Sequence, residues 1–411
     1  MPQFQLALLL GMTVALGPLA LDAYLPAFPG ISGDLGVPHG DVGLTLSVYV
    51  GALGLAQLVG GPLSDRYGRQ LILLAGLAVF AAAALMVGKA GSLQEMMAWR
   101  VVQGIGGAFC AVSVPAIVRD QFRGAEAARL FGLIGLIMFV APAAAPSIGT
   151  LFLAISVWPA IFVFLAGYAL LVGILLHTFL FRRLPAKPRA KTPISTLLTN
   201  YLMVVRHPVA MRFIGLQALA FSAMLVFITH ASFIYQDWFG LSSTAFSLLF
   251  AANVVVMAVV NVANRRLLLR YPSAVLLRVA VMVQACAIAA LVACSLVGAP
   301  VWAVAGCIII GVGCMGAIAP NNIANTLEFF PTLGGTAAAL LGATQFTFSG
   351  GVSALSTVVS NHTLTPIVLV MAACSVLAVI LVQGAPAAMR RELDREAEAA
   401  TLAAVADRPS P

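Results

Sequence analysis

The chain has 411 residues, of which 61% are hydrophobic and only 9% carry a charge, and its mean hydropathy is +1.04. This composition excludes a water-soluble globular protein and indicates a chain whose main solvent is lipid. The net charge of +8 could suggest a nucleic-acid partner, but the basic residues are confined to short segments between apolar runs, which argues against one.

Apolar runs of about 20 residues, the length that a helix needs to cross a bilayer core, follow one another along the chain. They are continuous, whereas the strands of a membrane barrel alternate with period two, so helices are implied. We therefore predict an all-α integral membrane protein with twelve transmembrane helices. The predicted spans are residues 4–27, 41–63, 71–89, 95–118, 129–153, 157–181, 210–234, 242–264, 273–297, 300–326, 334–358 and 363–384.

The basic residues predict the orientation of these spans. If the N-terminus is cytoplasmic, nearly all of them fall on the cytoplasmic side, which is the positive-inside bias. Only Lys89 lies near the other side, and Arg100 lies within a span. We expect a multi-pass protein of a bacterial inner membrane with both termini in the cytoplasm. The residues on the cytoplasmic side include Arg66, Arg69, Arg119, Arg123, Arg129, Arg182, Arg206, Arg212, Arg265, Arg266, Arg270 and Arg278.

The longest connection divides the spans six and six. We predict an N-terminal six-helix bundle over residues 1–181, a cytoplasmic linker with an interfacial helix over 182–209, a C-terminal six-helix bundle over 210–385 and a cytoplasmic tail over 386–411. The six cysteines fall inside predicted spans without metal-site spacing, so we expect no metal and no cofactor.

Two ionisable side chains are predicted deep within spans. Asp22 lies about 9 Å inside the outer end of the first span, at a rise of 1.5 Å per residue, and Arg100 lies at about the same depth in the fourth. A charge at mid-membrane costs roughly 2.5–3.5 kcal/mol on insertion scales, so both should face the bundle interior or a water-filled cavity. Burial favours a neutral carboxyl and a nearby cation favours a carboxylate, so we predict that Asp22 is a proton carrier tuned by Arg100. A purely structural ion pair is the alternative.

Four short segments carry recognisable patterns. Between the second and third spans stands "GPLSDRYGRQ", in the fourth "RVVQGIGGA", in the fifth "APAAAPSIGT", and at the end of the first "LDAYLPAFP". The first three resemble motifs of the major facilitator superfamily, and the last resembles the Bcr/CflA branch of drug:proton antiporters, which export bicyclomycin, chloramphenicol and florfenicol. The helix-5 segment departs from that pattern, since Ala145-Pro146 and Gly149-Thr150 stand where a Gly-Pro pair and two glycines are usual.

The resemblance implies a fold of two six-helix bundles and a drug:H+ antiporter that exports small amphiphilic antibiotics, such as phenicols, by alternating access, with H+ as the coupling ion. It also implies a latch of the outward-facing state, in which Asp65 meets the start of the eleventh helix and Arg66 or Arg69 meets Asp120. The residues assigned to this loop motif are Gly61, Asp65, Arg66, Gly68, Arg69 and Asp120. Those assigned to the helix-5 motif are Pro142, Pro146 and Gly149.

Polar and aromatic residues on inward faces are the candidates for a mostly apolar substrate cavity. We expect His230, near the outer end of the seventh helix, to be an interfacial residue. Nothing in the sequence argues for an oligomer, so a monomer is expected. The candidate cavity residues are Asp22, Tyr24, Tyr49, Gln57, Arg100, Gln103, Gln217, Phe221, Asn253, Asn321 and Gln345.

Two alternatives stay open at this point. The altered helix-5 glycines leave room for a proton-coupled transporter of an endogenous metabolite, such as a sugar or an amino acid, as exporter or uptake symporter. An intramembrane enzyme or a receptor-like protein is disfavoured, because the histidines are scattered and no nucleophile, zinc or phosphate-binding motif is present. We therefore do not expect an enzyme.

Overall fold

The computed structural model describes residues 3–122, 124–182, 194–330 and 333–384, so the predicted tail and part of the predicted linker lie outside it. All regular structure in these residues is helical. The helices are α1 Gln3–Asp22, α2 Phe28–Leu35, α3 Gly43–Tyr67, α4 Arg69–Val87, α5 Leu93–Gln121, α6 Gly124–Ile155, α7 Pro159–Leu175, α8 Ile194–Val205, α9 Pro208–Ser232, α10 Ser243–Leu267, α11 Ser273–Leu296, α12 Val301–Gly313, α13 Met315–Leu327, α14 Gly334–Val359 and α15 Leu364–Gln383.

The spans predicted from hydropathy are present as helices. Within the described residues, eleven helical stretches are long and apolar enough to cross a membrane. The remaining predicted span, 334–358, forms α14, which is rich in Gly, Ser and Thr and is not among those eleven. Because α14 packs against α3 and α9, its polar face is covered by protein, and the predicted all-α membrane fold is confirmed.

The helices alternate in direction, which defines two ends of the bundle. We call the outer end the one where the chain reverses near residues 36–42, 88–92, 156–158, 239–242, 297–300 and 360–363, and the inner end the opposite one. Within the first half, α5 packs on α3 and α4, and α1 packs on α6. Within the second, α15 packs on α9 and α11. The halves meet along two pairs of helices, α3 with α14 and α6 with α10.

The first span is interrupted at the residue that the sequence singled out. Helix α1 ends at Asp22, and a short 3₁₀ turn covers Leu25–Ala27. Helix α2 then continues the first span to the outer end. Pro26 and Pro29 follow within seven residues of Asp22, and proline removes a backbone donor and clashes with the preceding turn. The chain therefore leaves regular helical geometry directly after the carboxylate.

The segment "GPLSDRYGRQ" is helical rather than a loop. Helix α3 continues to Tyr67 and α4 begins at Arg69, so the reversal depends on Gly68 alone, whose φ is +100°. This left-handed conformation is one that glycine adopts without strain. The predicted span ends at 63 and 71 were too short, because helical geometry extends past the apolar residues into the charged turn.

At the inner end, helix α8 packs against α9 and α14. The hydroxyl of Tyr201 in α8 donates to the carbonyl oxygen of Leu58 in α3 at 3.4 Å. Burial at this contact, and secondarily the charge of Asp65, raises the pKa of the Tyr201 phenol. The segment between the halves is thus in contact with both.

Candidate functional site

Arg100 is the only arginine among the largest fully buried side chains, and it lies on α5 in the first half. Its guanidinium donates to the Gln103 side-chain oxygen at 2.7 Å, to the Ala20 carbonyl oxygen at 3.1 Å and, at a longer 3.4 Å, to the Thr45 carbonyl oxygen. All three acceptors are neutral. The cation is therefore solvated by dipoles from α1, α3 and α5.

Two aromatic rings complete the surroundings of Arg100. The guanidinium carbon lies 4.5 Å from the ring centroid of Tyr24 and 4.5 Å from that of Tyr49. Cation–π contacts at this range are attractive, more so where water is excluded. Tyr24 is fixed in turn by a 2.9 Å hydrogen bond between its hydroxyl and that of Thr45, so the ring and the cation share a rigid setting.

Asp22 lies beside this cluster but does not pair with Arg100. It is 5% exposed, its Oδ1 has no hydrogen-bond partner among the described residues, and the ion pairs found there do not include it. The arginine instead contacts the main chain of Ala20, two residues before the carboxyl. The carboxyl is therefore buried without a donor or a counter-ion among the described residues.

Glycines bring the neighbouring helices close to this cluster. A Cβ built at Gly104 would lie 2.5 Å from the Tyr49 carbonyl oxygen, and one built at Gly107 would lie 3.0 Å from the Tyr49 hydroxyl. Helix α5 can therefore approach α3 only where it has no side chain, as small residues allow in membrane bundles. That close approach places the Tyr49 ring over the guanidinium.

The helix-5 segment supports the other side of Asp22. A Cβ at Gly149 would overlap the carbonyl oxygen of Ala23, the residue that follows the carboxylate. Pro142 and Pro146 lie within the continuous helix α6. The neighbouring Thr150 hydroxyl is 3.0 Å from that of Ser247 in α10, so this segment contacts both the break in the first span and the second half of the molecule.

The candidates in the second half form a separate group on α9 and α14. Gln217 donates to the Gln345 side-chain oxygen at 2.9 Å, and the rings of Phe221 and Phe346 meet edge to face at 5.3 Å. From the first half, Gln57 reaches this helix, since a Cβ at Gly342 would lie 2.8 Å from its side-chain oxygen. The structure thus brings Gln57 to α14 from across the molecule.

Two candidates lie at helix contacts within the second half. Asn321 on α13 exchanges hydrogen bonds with Asn264 on α10, the better one 2.7 Å long. Asn253 donates to the carbonyl oxygen of Leu249 in its own helix at 2.8 Å. Amide pairs of this kind hold transmembrane helices together, so the structure does not bring these two residues to Asp22 or Arg100.

The loop motif forms an ionic cluster inside the first half. Arg69 pairs with Asp65 and also donates to Asp120 Oδ2 at 3.1 Å. The Arg66 guanidinium lies 5.7 Å from the Tyr67 ring centroid. The structure therefore brings Arg69 to both Asp65 and Asp120. The contact of Asp65 with the start of the eleventh helix stays a prediction.

A row of hydroxyl groups joins the halves toward the outer end, and the sequence reasoning did not include it. Ser353 on α14 lies 2.8 Å from the Ser47 hydroxyl of α3 and 2.6 Å from the Thr229 hydroxyl of α9. One turn further out, His230 is 1% exposed and lies 2.9 Å from the Ser356 hydroxyl. The expectation of an interfacial His230 was wrong.

At the outer surface, His39 bridges the halves. Its Nε2 lies 3.0 Å from the Ser232 hydroxyl and its Nδ1 3.8 Å from the Asp237 carboxylate. The Gln236 amide reaches the Pro26 carbonyl oxygen at 3.5 Å. The row of hydroxyl groups on α14 did have a signal in the sequence, because Ser349, Ser353 and Ser356 recur every three or four residues, which places them on one face.

These features define a class of protein. A helical membrane bundle of two halves that meet through polar contacts at one end, with a buried Arg100 and a buried Asp22 among the described residues, is typical of a secondary transporter. The sequence model of the Major Facilitator Superfamily matches residues 10–356. The chain therefore belongs to that superfamily.

Individual relatives agree with this assignment. The chain is 29% identical to a bicyclomycin resistance protein homolog of Haemophilus influenzae over 92% of this chain and 95% of that protein. It is 30% identical to a chloramphenicol resistance protein of Pseudomonas aeruginosa over 81% of this chain and 79% of that one. Among solved structures, a D-xylose–proton symporter superposes with a TM-score of 0.75 at 16% identity, covering 92% and 97% of the two chains. At that identity the symporter supports the fold alone.

Proposed function

We propose that this protein is a proton-coupled exporter of small amphiphilic drugs in a bacterial inner membrane, with both termini cytoplasmic. The observation that supports this best is Asp22, which ends α1 and whose buried carboxyl has an oxygen without a partner among the described residues. In the same part of the chain, the fully buried cation Arg100 is held by neutral acceptors. Such a carboxyl can gain and lose a proton without first breaking an ion pair. The names of the two relatives, which refer to drug resistance, support export of antibiotics.

The proposed cycle is alternating access by the two halves, residues 1–181 and 210–385. Asp22 takes a proton when the site opens outward and releases it inward, and the substrate occupies the site when Asp22 is ionised. A ligand or proton shifts the conformational equilibrium only by its differential affinity for the two states. The available driving force is about 2.3 kcal/mol per charge per 100 mV plus about 1.4 kcal/mol per pH unit.

The substrate chemistry follows from the groups around the site. Tyr24 and Tyr49 offer aromatic surface, Gln103 has an unpartnered side-chain nitrogen, and Gln57 lies against α14 from the opposite side. A site lined by aromatic rings and side-chain amides, with one titratable carboxyl, suits neutral or weakly charged amphiphiles, such as phenicols, better than strongly charged solutes. We propose a monomer as the transporting unit.

Drug susceptibility in an efflux-deficient bacterium tests this proposal. The wild type, Asp22→Asn and the control Glu95→Gln are compared at matched membrane levels across phenicols, bicyclomycin, fluoroquinolones and cationic dyes. Glu95 is an exposed carboxylate on the same helix as Arg100, so its removal controls for charge. Resistance lost with Asp22→Asn or with a protonophore, and retained with Glu95→Gln, is the expected result.

Other outcomes point elsewhere. Resistance that survives Asp22→Asn would place proton coupling at another group. If none of the drugs gives a phenotype, the alternative of metabolite transport is favoured, as an exporter or an uptake symporter. That alternative has a specific basis, since the helix-5 segment retains a glycine only at Gly149 among its four pattern positions.

A further inference from the structure

The turn between α10 and α11 at the inner end carries arginines and exposed apolar side chains together. Arg265, Arg266 and Arg270 are all exposed. Between them, Leu267 is 43%, Leu268 40% and Leu269 86% exposed, and Tyr271, the next residue, is 51% exposed. We call residues 265–271 the arginine–leucine turn. It presents cations and hydrocarbon to the same surroundings.

The arginines of this turn have no carboxylate partner among the described residues. No Asp or Glu occurs in the sequence between Asp237 and Glu328, which contains α10 to α13 entirely. The ion pairs found in the described residues include none of the three arginines. The corresponding turn of the first half is different, since Arg69 there is shared by Asp65 and Asp120. Orientation alone requires only positive charge, and it does not account for the exposed leucines.

The position of the turn indicates what covers it. Helix α10 ends at Leu267 and α11 begins at Ser273, and both are long and apolar enough to cross a membrane, so the short turn that joins them lies near the headgroups of one leaflet. Arginine binds phosphate through paired N–H donors, and basic residues at this level are attracted to anionic leaflets. Exposed leucine favours the acyl region just beneath.

We propose that the arginine–leucine turn is a binding site for an anionic phospholipid of the inner leaflet. The headgroup phosphate is bound by Arg265, Arg266 and Arg270, and the acyl chains cover Leu267 to Leu269. The same arginines could instead attract the C-terminal tail, which contains Glu392, Asp394, Glu396 and Glu398. The leucines favour lipid, because a charged peptide would leave them in contact with water.

The test measures how much phosphatidylglycerol binds to the full-length protein. The protein is placed in phosphatidylcholine nanodiscs, and the fraction of phosphatidylglycerol in them is raised stepwise. The test variant combines Arg265→Gln, Arg266→Gln and Arg270→Gln. The control variant combines Arg119→Gln, Arg129→Gln and Arg182→Gln, three exposed arginines elsewhere at the inner end, and loses the same charge. Melting temperatures of both variants confirm that they are folded.

We expect the test variant to bind phosphatidylglycerol more weakly by roughly fivefold per arginine lost, and the control by much less. Leu269→Ser, which changes no charge, should also weaken retention, whereas a site for free phosphate alone would be unaffected. Equal losses in the two triple variants would mean unspecific surface charge and would overturn the proposal. Unchanged phosphatidylglycerol binding by Leu269→Ser would also overturn it. A several-fold gain in binding on deletion of residues 386–411 would overturn it as well, because it would show that the arginines bind the tail.

Discussion

The structure predicts that Asp22 and Arg100 contribute to stability in very different ways. Arg100 donates two hydrogen bonds of good length, at 2.7 and 3.1 Å, and one at 3.4 Å, and lies 4.5 Å from two tyrosine rings. Hydrogen bonds to a charged group contribute about 1.5–3 kcal/mol each. Arg100→Met should therefore lower the free energy of unfolding by roughly 3–6 kcal/mol, since it leaves buried carbonyl oxygens without donors.

Asp22→Asn should have little effect on the same quantity. The carboxyl makes no hydrogen bond or ion pair in the described residues, and asparagine has nearly the same shape. A change within about 0.5 kcal/mol is expected, as for substitutions that break no specific interaction. The double variant should then show a coupling energy below about 0.5 kcal/mol.

Unfolding of the purified protein by a denaturing detergent, followed by circular dichroism, provides these free energies. If Asp22 and Arg100 formed an ion pair in the folded protein, Asp22→Asn would leave an uncompensated buried cation and cost about 3–5 kcal/mol. A loss of that size, or a coupling energy of several kcal/mol, would refute the arrangement described here. It would also require Asp22 to exchange its counter-ion in each transport cycle.

Further predictions follow from the contacts between helices. Gly149→Val should abolish resistance and lower the melting temperature, because the valine side chain would collide with the backbone of the first span at Ala23. Gly132→Val on the same helix is the control. A Cβ there meets nothing within 4 Å, so this variant should be tolerated in both assays. Ser353→Ala removes the hydroxyl shared by α3 and α9. The loss of about 1 kcal/mol of hydrogen bonding should raise the outward-open population roughly fivefold. A cysteine introduced at the outer end should then react faster with a membrane-impermeant thiol reagent. Unchanged labelling would contradict this role of Ser353.

Hydropathy predicted the spans well because membrane insertion depends on length and apolar content, both of which are readable in sequence. Even α14 was found, although it is rich in glycine and serine and is not among the eleven stretches that are apolar enough by hydropathy alone. The charged turn near Gly68 was misjudged, since hydropathy marks where a bilayer ends rather than where a helix ends. Helix α4 can begin at the charged Arg69 because carboxylates on α3 and α5 neutralise its charge.

The partners of Arg100 show a different limit. A residue count along a helix gives the depth of a side chain in the membrane. It placed Arg100 at the level of Asp22, and in the structure Arg100 contacts Ala20, two residues away. It does not give the direction of the side chain around the helix axis. The break in the helix after Asp22 changes that direction further. Sequence therefore placed the two groups at one level but could not decide whether they touch.

The distinction matters for proton coupling. A carboxylate locked in an ion pair would keep its charge in every state, so a proton could compete for it only by displacing the arginine. In this structure three neutral acceptors and the rings of Tyr24 and Tyr49 stabilise the Arg100 cation. Its charge therefore persists whether Asp22 is protonated or not. The Ala20 carbonyl oxygen, by accepting from Arg100, leaves Asp22 without a counter-ion, as the proposed proton exchange requires.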